Sequence, residues 1–108
     1  MTRLRTAKLA GVKGERREIE IATNLGPSRV TLAVCYGQWA IHRHVFVAGG
    51  YTVTHTPTGY SAESGPVLED SARRLVAGLL AVREFKTTRA KAATEHCREV
   101  YRAWKRGL

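Results

Sequence analysis

The sequence predicts an α+β fold: a four-stranded antiparallel meander packed on one face by two C-terminal helices. Three observations support it: apolar residues alternate with period two between Glu18 and Thr56, glycine turns interrupt that stretch, and apolar residues follow helical spacing after Pro66. The expected bounds are a flexible basic arm at 1–14 and a single domain at 15–108, with the sheet at 18–56 and helices at about 66–86 and 88–106.

The meander is organised around residues 30–56, VTLAVCYGQWAIHRHVFVAGGYTVTHT. Gly37-Gln38 is a Gly-first two-residue connection that suits a type II′ turn and sets Val34 opposite Ile41. Glu18 to Ile21 alternates and should add a fourth strand beside Val30 to Tyr36, with its isoleucines facing the core.

The second connection has two alternative closures. A two-residue loop at Gly49-Gly50 would place Val45 and Val47 on the face of the threonines. A three-residue loop from Ala48 to Gly50 places Val47 opposite Tyr51 and is preferred, because a one-residue slip moves every side chain to the other face. The preferred closure predicts an apolar core face of Val30, Leu32, Val34, Tyr36, Trp39, Ile41, Val45, Val47, Tyr51 and Val53. It predicts a solvent-facing side of Thr31, Ala33, Cys35, Ala40, His42, His44, Phe46, Thr52, Thr54 and Thr56.

Arg43 and His55 interrupt the predicted core face, directly opposite each other. One interpretation is an arginine that extends past the sheet edge beside a buried, hydrogen-bonded histidine. The other is that the two residues mark a notch for a ligand or partner.

The region after the sheet predicts two helices. Pro66 suits the first position of one helix, whose apolar stripe is Leu68, Ala72, Leu75, Val76, Leu79, Leu80 and Val82. Gly78 within it indicates a close approach to a strand. The second helix would follow a bend near Phe85 to Thr88, with the stripe Ala90, Ala93, Cys97, Val100 and Trp104. A single helix from Pro66 to Arg106 is the alternative, since neither Gly nor Pro enforces the break.

Positive charge is concentrated at the two ends of the chain, whose net charge is +9. Residues 1–17 contain six Lys or Arg and one acidic residue. Residues 18–82 contain four Lys or Arg and five acidic residues, and residues 83–108 contain eight Lys or Arg and three acidic residues. Cationic ends attract polyanions. The candidate partner- or phosphate-binding residues are Arg98, Arg102, Lys105, Arg106, Lys91, Arg3 and Arg5, with His42 and His44 on the exposed sheet face as a second candidate surface.

No pattern of catalytic or metal-ligating residues emerges. His42 and His44 share a face with Cys35, but zinc needs three or four ligands and none of the other candidates converges there. We therefore expect no enzyme, no cofactor and no metal. Two cysteines, no apolar leader and no long apolar run favour a cytoplasmic protein that does not span a membrane. The oligomeric state is left open.

The stretch YTVTHTPTGYSA at Tyr51 to Ala62, following WAIHRHVFVAGG, resembles small orphan proteins of tailed phages and prophages. These combine a Trp-containing strand, a Gly turn and a strand ending in Thr-His-x-Pro-Thr/Ser-Gly before a helix, over roughly residues 39–82 here. The resemblance fixes no active residue. It implies the class of small phage binding proteins, some of which are anti-CRISPR or other anti-defence inhibitors.

The expected function is therefore a non-enzymatic, phage-type protein that docks on a nucleic-acid-handling host complex and inhibits it. The alternative is an accessory or regulatory protein that contacts DNA or RNA phosphates directly through its basic ends.

Overall fold

The computed structural model describes residues 4–62, 66–82, 85 and 94–107, with side chains in the last segment described from residue 99 onward. It confirms the α+β fold: a four-stranded antiparallel sheet in the order β1-β2-β3-β4, accompanied by two helices. The elements are β1 Glu15–Thr23, β2 Gly26–Tyr36, β3 Trp39–Arg43, β4 Tyr51–His55, α1 Glu69–Leu80 and α2 Thr94–Arg106.

The β2–β3 turn forms as predicted. Val34 pairs with Ile41 and Tyr36 with Trp39, so Gly37 and Gln38 make the connection. Gly37 has a φ of 57°, which an L-residue rarely adopts.

The β3–β4 connection is longer than predicted. Arg43 pairs with Tyr51 and Trp39 with His55, so residues 44–50 form the loop. Val45 and Val47, predicted in the core, are 43% and 45% exposed in this loop, and Arg43 does not lie opposite His55. His44 organises this longer loop: its backbone N–H donates to the Gly50 oxygen at 2.9 Å, and its Nδ1 accepts hydrogen bonds from the backbone N–H groups of Phe46 and Val47.

A β-bulge in the β1–β2 hairpin corrects the predicted faces. Arg17 pairs with Ala33 but Ile19 pairs with Val30, so Thr31 and Leu32 together oppose one residue of β1. Leu32 is consequently 70% exposed instead of buried. Val30 moves to the opposite face, where it packs beside Ile19.

The face predicted to meet solvent is largely buried. Ile19 and Ile21 pack with Ala33, Cys35 and Ala40 in a second apolar cluster. The tip of the β1–β2 hairpin reaches the turn after β4, since the Ala22 N–H donates to the Gly59 oxygen at 2.9 Å. The same face buries His42, Thr52 and Thr54.

The main core lies between the other face of the sheet and the helices, as predicted. Val34, Tyr36, Ile41 and Val53 of the sheet meet Ala72, Val76, Leu79 and Leu80 of α1, with Phe85 completing the cluster. Apolar surface buried in this way is the main favourable term for the fold.

The first helix starts later and ends earlier than predicted. Pro66 is not its first residue, because Val67 exchanges two backbone hydrogen bonds with Tyr51 and Leu68 is the N-cap. The helix ends at Leu80, and Phe85 lies in the main core, where its ring meets Trp39 edge to face. The alternative of one helix from Pro66 to Arg106 is thus wrong. Ala90, Ala93, Cys97 and the expected cap Thr88 lie outside the described side chains.

Residues 4–14, which belong to the segment predicted as a flexible basic arm over residues 1–14, pack on the domain. Leu4 is 7% exposed within the main core, and Leu9 and Val12 pack against it. The Tyr36 hydroxyl donates to the backbone oxygen of Ala7 at 2.8 Å. Basic residues alternate here with leucine and valine that bury surface, so the net charge of the segment conceals its apolar side.

Candidate binding surface

Helix α2 separates an aromatic side from a cationic side. Tyr101 and Trp104 pack toward the main core, whereas Arg102, Lys105 and Arg106 are exposed. We call these three the cationic row. Because residues three and four apart lie on the same side of a helix, the row covers about 6 Å of helix length. Among the described side chains, none of the three has a carboxylate within ion-pairing distance.

The other predicted cations do not join this row. The Arg5 guanidinium donates to Glu69 and Asp70 at the start of α1, both at 2.9 Å, and these carboxylates raise its pKa. Arg5 therefore forms ion pairs within the domain. Arg3, Lys91 and the side chain of Arg98 lie outside the described part of the chain.

The predicted histidine surface does not form. His42 is 1% exposed, with Nε2 2.8 Å from the Thr54 hydroxyl and Nδ1 2.8 Å from the Arg43 carbonyl oxygen. Because a carbonyl can only accept, Nδ1 carries the proton and Nε2 accepts from Thr54. Burial lowers the pKa of His42, partly offset by the Arg43 carbonyl. His44 is half-buried and holds the loop after β3.

An aromatic pocket lies beside the inner face of α2. It has a volume of about 260 Å³, and its described lining residues are Trp39, His55, Thr58, Tyr60, Ser61, Ala62 and Tyr101. The Trp39 ring is 4.9 Å from His55 and 5.8 Å from Tyr101, centroid to centroid. The Tyr101 hydroxyl donates to the Ala62 carbonyl oxygen at 2.6 Å, which fixes α2 against the chain after β4.

His55 is held as a neutral ring at the base of this pocket. Nε2 lies 2.8 Å from the Gln38 side-chain oxygen, and Nδ1 lies 3.1 Å from the Thr58 hydroxyl. The first nitrogen donates and the second accepts, which is the neutral tautomer. Burial lowers the pKa of His55 to about 4. At neutral pH the histidine thus contributes a flat, uncharged wall.

One buried polar group of the pocket residues is unsatisfied. The indole N–H of Trp39 has no hydrogen-bond partner among the described residues, although the residue is only 2% exposed. Leaving a buried donor unpaired costs about 1–3 kcal/mol.

The pocket and the cationic row meet at Lys105. Its ammonium group lies 5.8 Å from the centroid of the Tyr101 ring, within cation–π distance. Tyr101 also neighbours Trp104, with centroids 5.9 Å apart and planes inclined by 24°. The Tyr101 ring therefore both lines the pocket and contacts Lys105 of the cationic row.

Within the described residues, no three His, Cys, Asp or Glu side chains are grouped as metal ligands. Burial raises the pKa of the Cys35 thiol, which lies in the second apolar cluster and is not placed as a nucleophile. No helix in the described part of the chain has the length and apolar character needed to cross a membrane.

Comparison of the chain with protein-family models, with curated proteins and with solved structures gives no match. The site must therefore be interpreted from its own geometry.

The binding residues predicted from sequence include the cationic row but no residue of the pocket. Tyr101 lies beside the predicted apolar stripe through Val100 and Trp104 and outside it. His55 is the residue that could have revealed the pocket, because it interrupts the predicted apolar face. A notch for a ligand or partner is one of the two interpretations of that interruption. The structure places a pocket at His55, without Arg43.

Proposed function

We propose that this protein is a non-enzymatic binding protein that docks on a nucleic-acid-handling host complex through its cationic row and inhibits it, in the manner of an anti-CRISPR or other anti-defence protein. The observation that carries the proposal is the exposure of Arg102, Lys105 and Arg106 on one side of α2, with no carboxylate partner among the described side chains. The partner would present an acidic protein groove or a bound nucleic acid.

The energetics of the row favour an external partner. Like charges three or four residues apart on a helix destabilise it by a few tenths of a kcal/mol per pair. Positions near a helix C-terminus return a similar amount through the helix dipole. The row therefore does little for folding, and a polyanion is the partner that would gain from all three charges at once.

Inhibition of purified RNA-guided nucleases tests this proposal. The row variant is R102E, K105E and R106E, and the matched control reverses three exposed cations elsewhere: K13E, R43E and R74E. We expect the unaltered protein and the control to inhibit cleavage by at least one such nuclease and the row variant to lose inhibition. Equal inhibition by both variants, or inhibition of no nucleic-acid-handling complex, would contradict the proposal.

Direct binding of nucleic acid is the second candidate function, because the aromatic pocket adjoins the row. Proteins that bind single strands combine positive charge with aromatic rings on which bases stack. Gel-shift titrations at about 50 and 200 mM salt separate the candidates, since phosphate contacts weaken steeply over that range. A salt-sensitive shift at micromolar protein supports direct binding, and no shift supports docking on a protein surface.

A further inference from the structure

We propose that the aromatic pocket lined by Trp39, Tyr60 and Tyr101 holds one base of a single-stranded nucleic acid whose neighbouring phosphates lie along the cationic row. This inference deepens the second candidate function and assigns the pocket a ligand class of its own.

The volume of the pocket fits a ligand group of one ring system. A dry cavity of about 150 Å³ holds one benzene ring, whereas pockets for drug-sized ligands begin at roughly 300 Å³. At about 260 Å³ the pocket has room for one base but not for a nucleotide cofactor with its sugar and phosphates. The remainder of such a ligand must lie outside, where α2 presents its charges.

The chemistry of the walls suits a base. Tyr60, which is 52% exposed, and the half-buried Tyr101 both line the pocket and supply aromatic surface beside the buried rings of Trp39 and His55. Stacking on such rings tolerates any base, because every base has a π-face.

The arrangement of charge favours a nucleic acid over an acidic peptide. Lys105 lies at the Tyr101 ring, Arg102 lies about one turn before Lys105 on the helix, and Arg106 is the next residue after it. A regularly repeating anion uses all three cations, whereas a single carboxylate beside an aromatic side chain would use one. Nucleic-acid backbones repeat their charge at every residue.

A strand without bases provides the decisive comparison. Fluorescence anisotropy measures the affinity of a labelled short oligothymidine and of an abasic strand with the same number of phosphates. Because base stacking on an aromatic side chain contributes about 1–3 kcal/mol per base, the thymidine strand should bind about five- to 150-fold more tightly.

Two variants locate that difference in the pocket. Tyr101→Leu removes one aromatic wall, and Ser61→Leu places a larger side chain at an exposed lining position without altering the core. Each should abolish most of the preference for bases while leaving the affinity for the abasic strand unchanged. Ser61→Leu keeps the test valid if Tyr101→Leu fails to fold, which far-UV circular dichroism would show.

The Trp39 indole offers a direct readout. In a Trp104→Phe variant Trp39 is the sole tryptophan, so thymidine should quench its fluorescence and shift its indole N–H resonance. The abasic strand should do neither.

Each outcome has one meaning. Equal affinities for the two strands would be consistent with phosphate contact by the cationic row and would overturn the pocket proposal. Binding of neither strand overturns it together with the second candidate function. Capture of an acidic aromatic peptide in the pocket, with no preference for thymidine, overturns it in favour of a protein ligand.

Discussion

Gly78 of α1 lies directly against the indole of Trp104 in α2: a Cβ built on the glycine would be 3.1 Å from Trp104 Cζ2. The absence of a side chain at this position lets the two helices approach. The close approach expected from sequence is therefore to a helix and not to a strand. The contact with Gly78 positions Trp104, whose ring stacks on Tyr101, and Tyr101 lines the pocket.

A double-mutant cycle tests this packing. Ala in place of Gly gains about 1 kcal/mol of helix propensity. In the unaltered protein most of that gain should be offset, because Trp104 must move by a few tenths of an ångström. In a Trp104→Ala background, Gly78→Ala should stabilise by the full amount in urea unfolding. The same change in unfolding free energy in both backgrounds would show that the two residues do not interact.

The packing of the N-terminal segment makes a second prediction. Leu4→Ala should lower the free energy of unfolding by about 2–4 kcal/mol, because it opens space in the main core. Leu25→Ala is the matched control, since Leu25 is 87% exposed and its truncation should change little. If the two substitutions have equal effects in urea unfolding, residues 4–14 do not pack as described.

The buried second face makes a third prediction. Thr54→Val removes the hydroxyl that donates to His42 Nε2 and should cost about 1–2 kcal/mol, because a buried acceptor is left unpaired. Thr52→Val is the control on the same strand and face, and Thr52 makes no hydrogen bond to His42. Equal unfolding free energies for the two variants would indicate a solvated His42.

Stability should fall with acid because of His55. The unfolded state binds a proton near the ordinary pKa of about 6.5, whereas the folded state does so only at about 4. The stability that the neutral His55 ring contributes is thus fully present above pH 6.5 and is lost as the pH falls toward 4. The loss should be about 2 kcal/mol, below the full ~3 kcal/mol of the shift, since the ring lines an open pocket.

His55→Gln should flatten this dependence when urea unfolding is measured between pH 4 and pH 7. Part of the slope should remain, because burial lowers the pKa of His42 in the same direction. An unchanged slope in the variant would mean that His55 is solvated and that the pocket is wetter than its geometry indicates.

Sequence patterns predicted the fold and one half of the candidate site. The β2–β3 turn followed from Gly37, and the faces of Tyr51 and Val53 were correct even though their partners were not. The reason is that the register moved by an even number of residues, which preserves the side-chain alternation.

The errors came from features without a local signature. The bulge at Thr31 and Leu32 contains neither Gly nor Pro, yet it turned Val30 onto the second face and exposed Leu32. The sequence alone indicates that Arg5 is available to bind a partner, and only the fold brings it to Glu69. The pocket depends on contacts between β3 and α2, distant in the chain, so the interruption at His55 indicated its place but not its aromatic lining.

Elution from a heparin column tests the central claim that the cationic row is the surface that contacts polyanions. The comparison is between the unaltered protein, the variant R102Q, K105Q and R106Q, and the matched variant K13Q, R43Q and R74Q, which loses the same net charge. We expect the row variant to elute at clearly lower salt than the matched variant. Elution of both variants at the same salt concentration would show that only total charge matters and that the cationic row is not the contact surface.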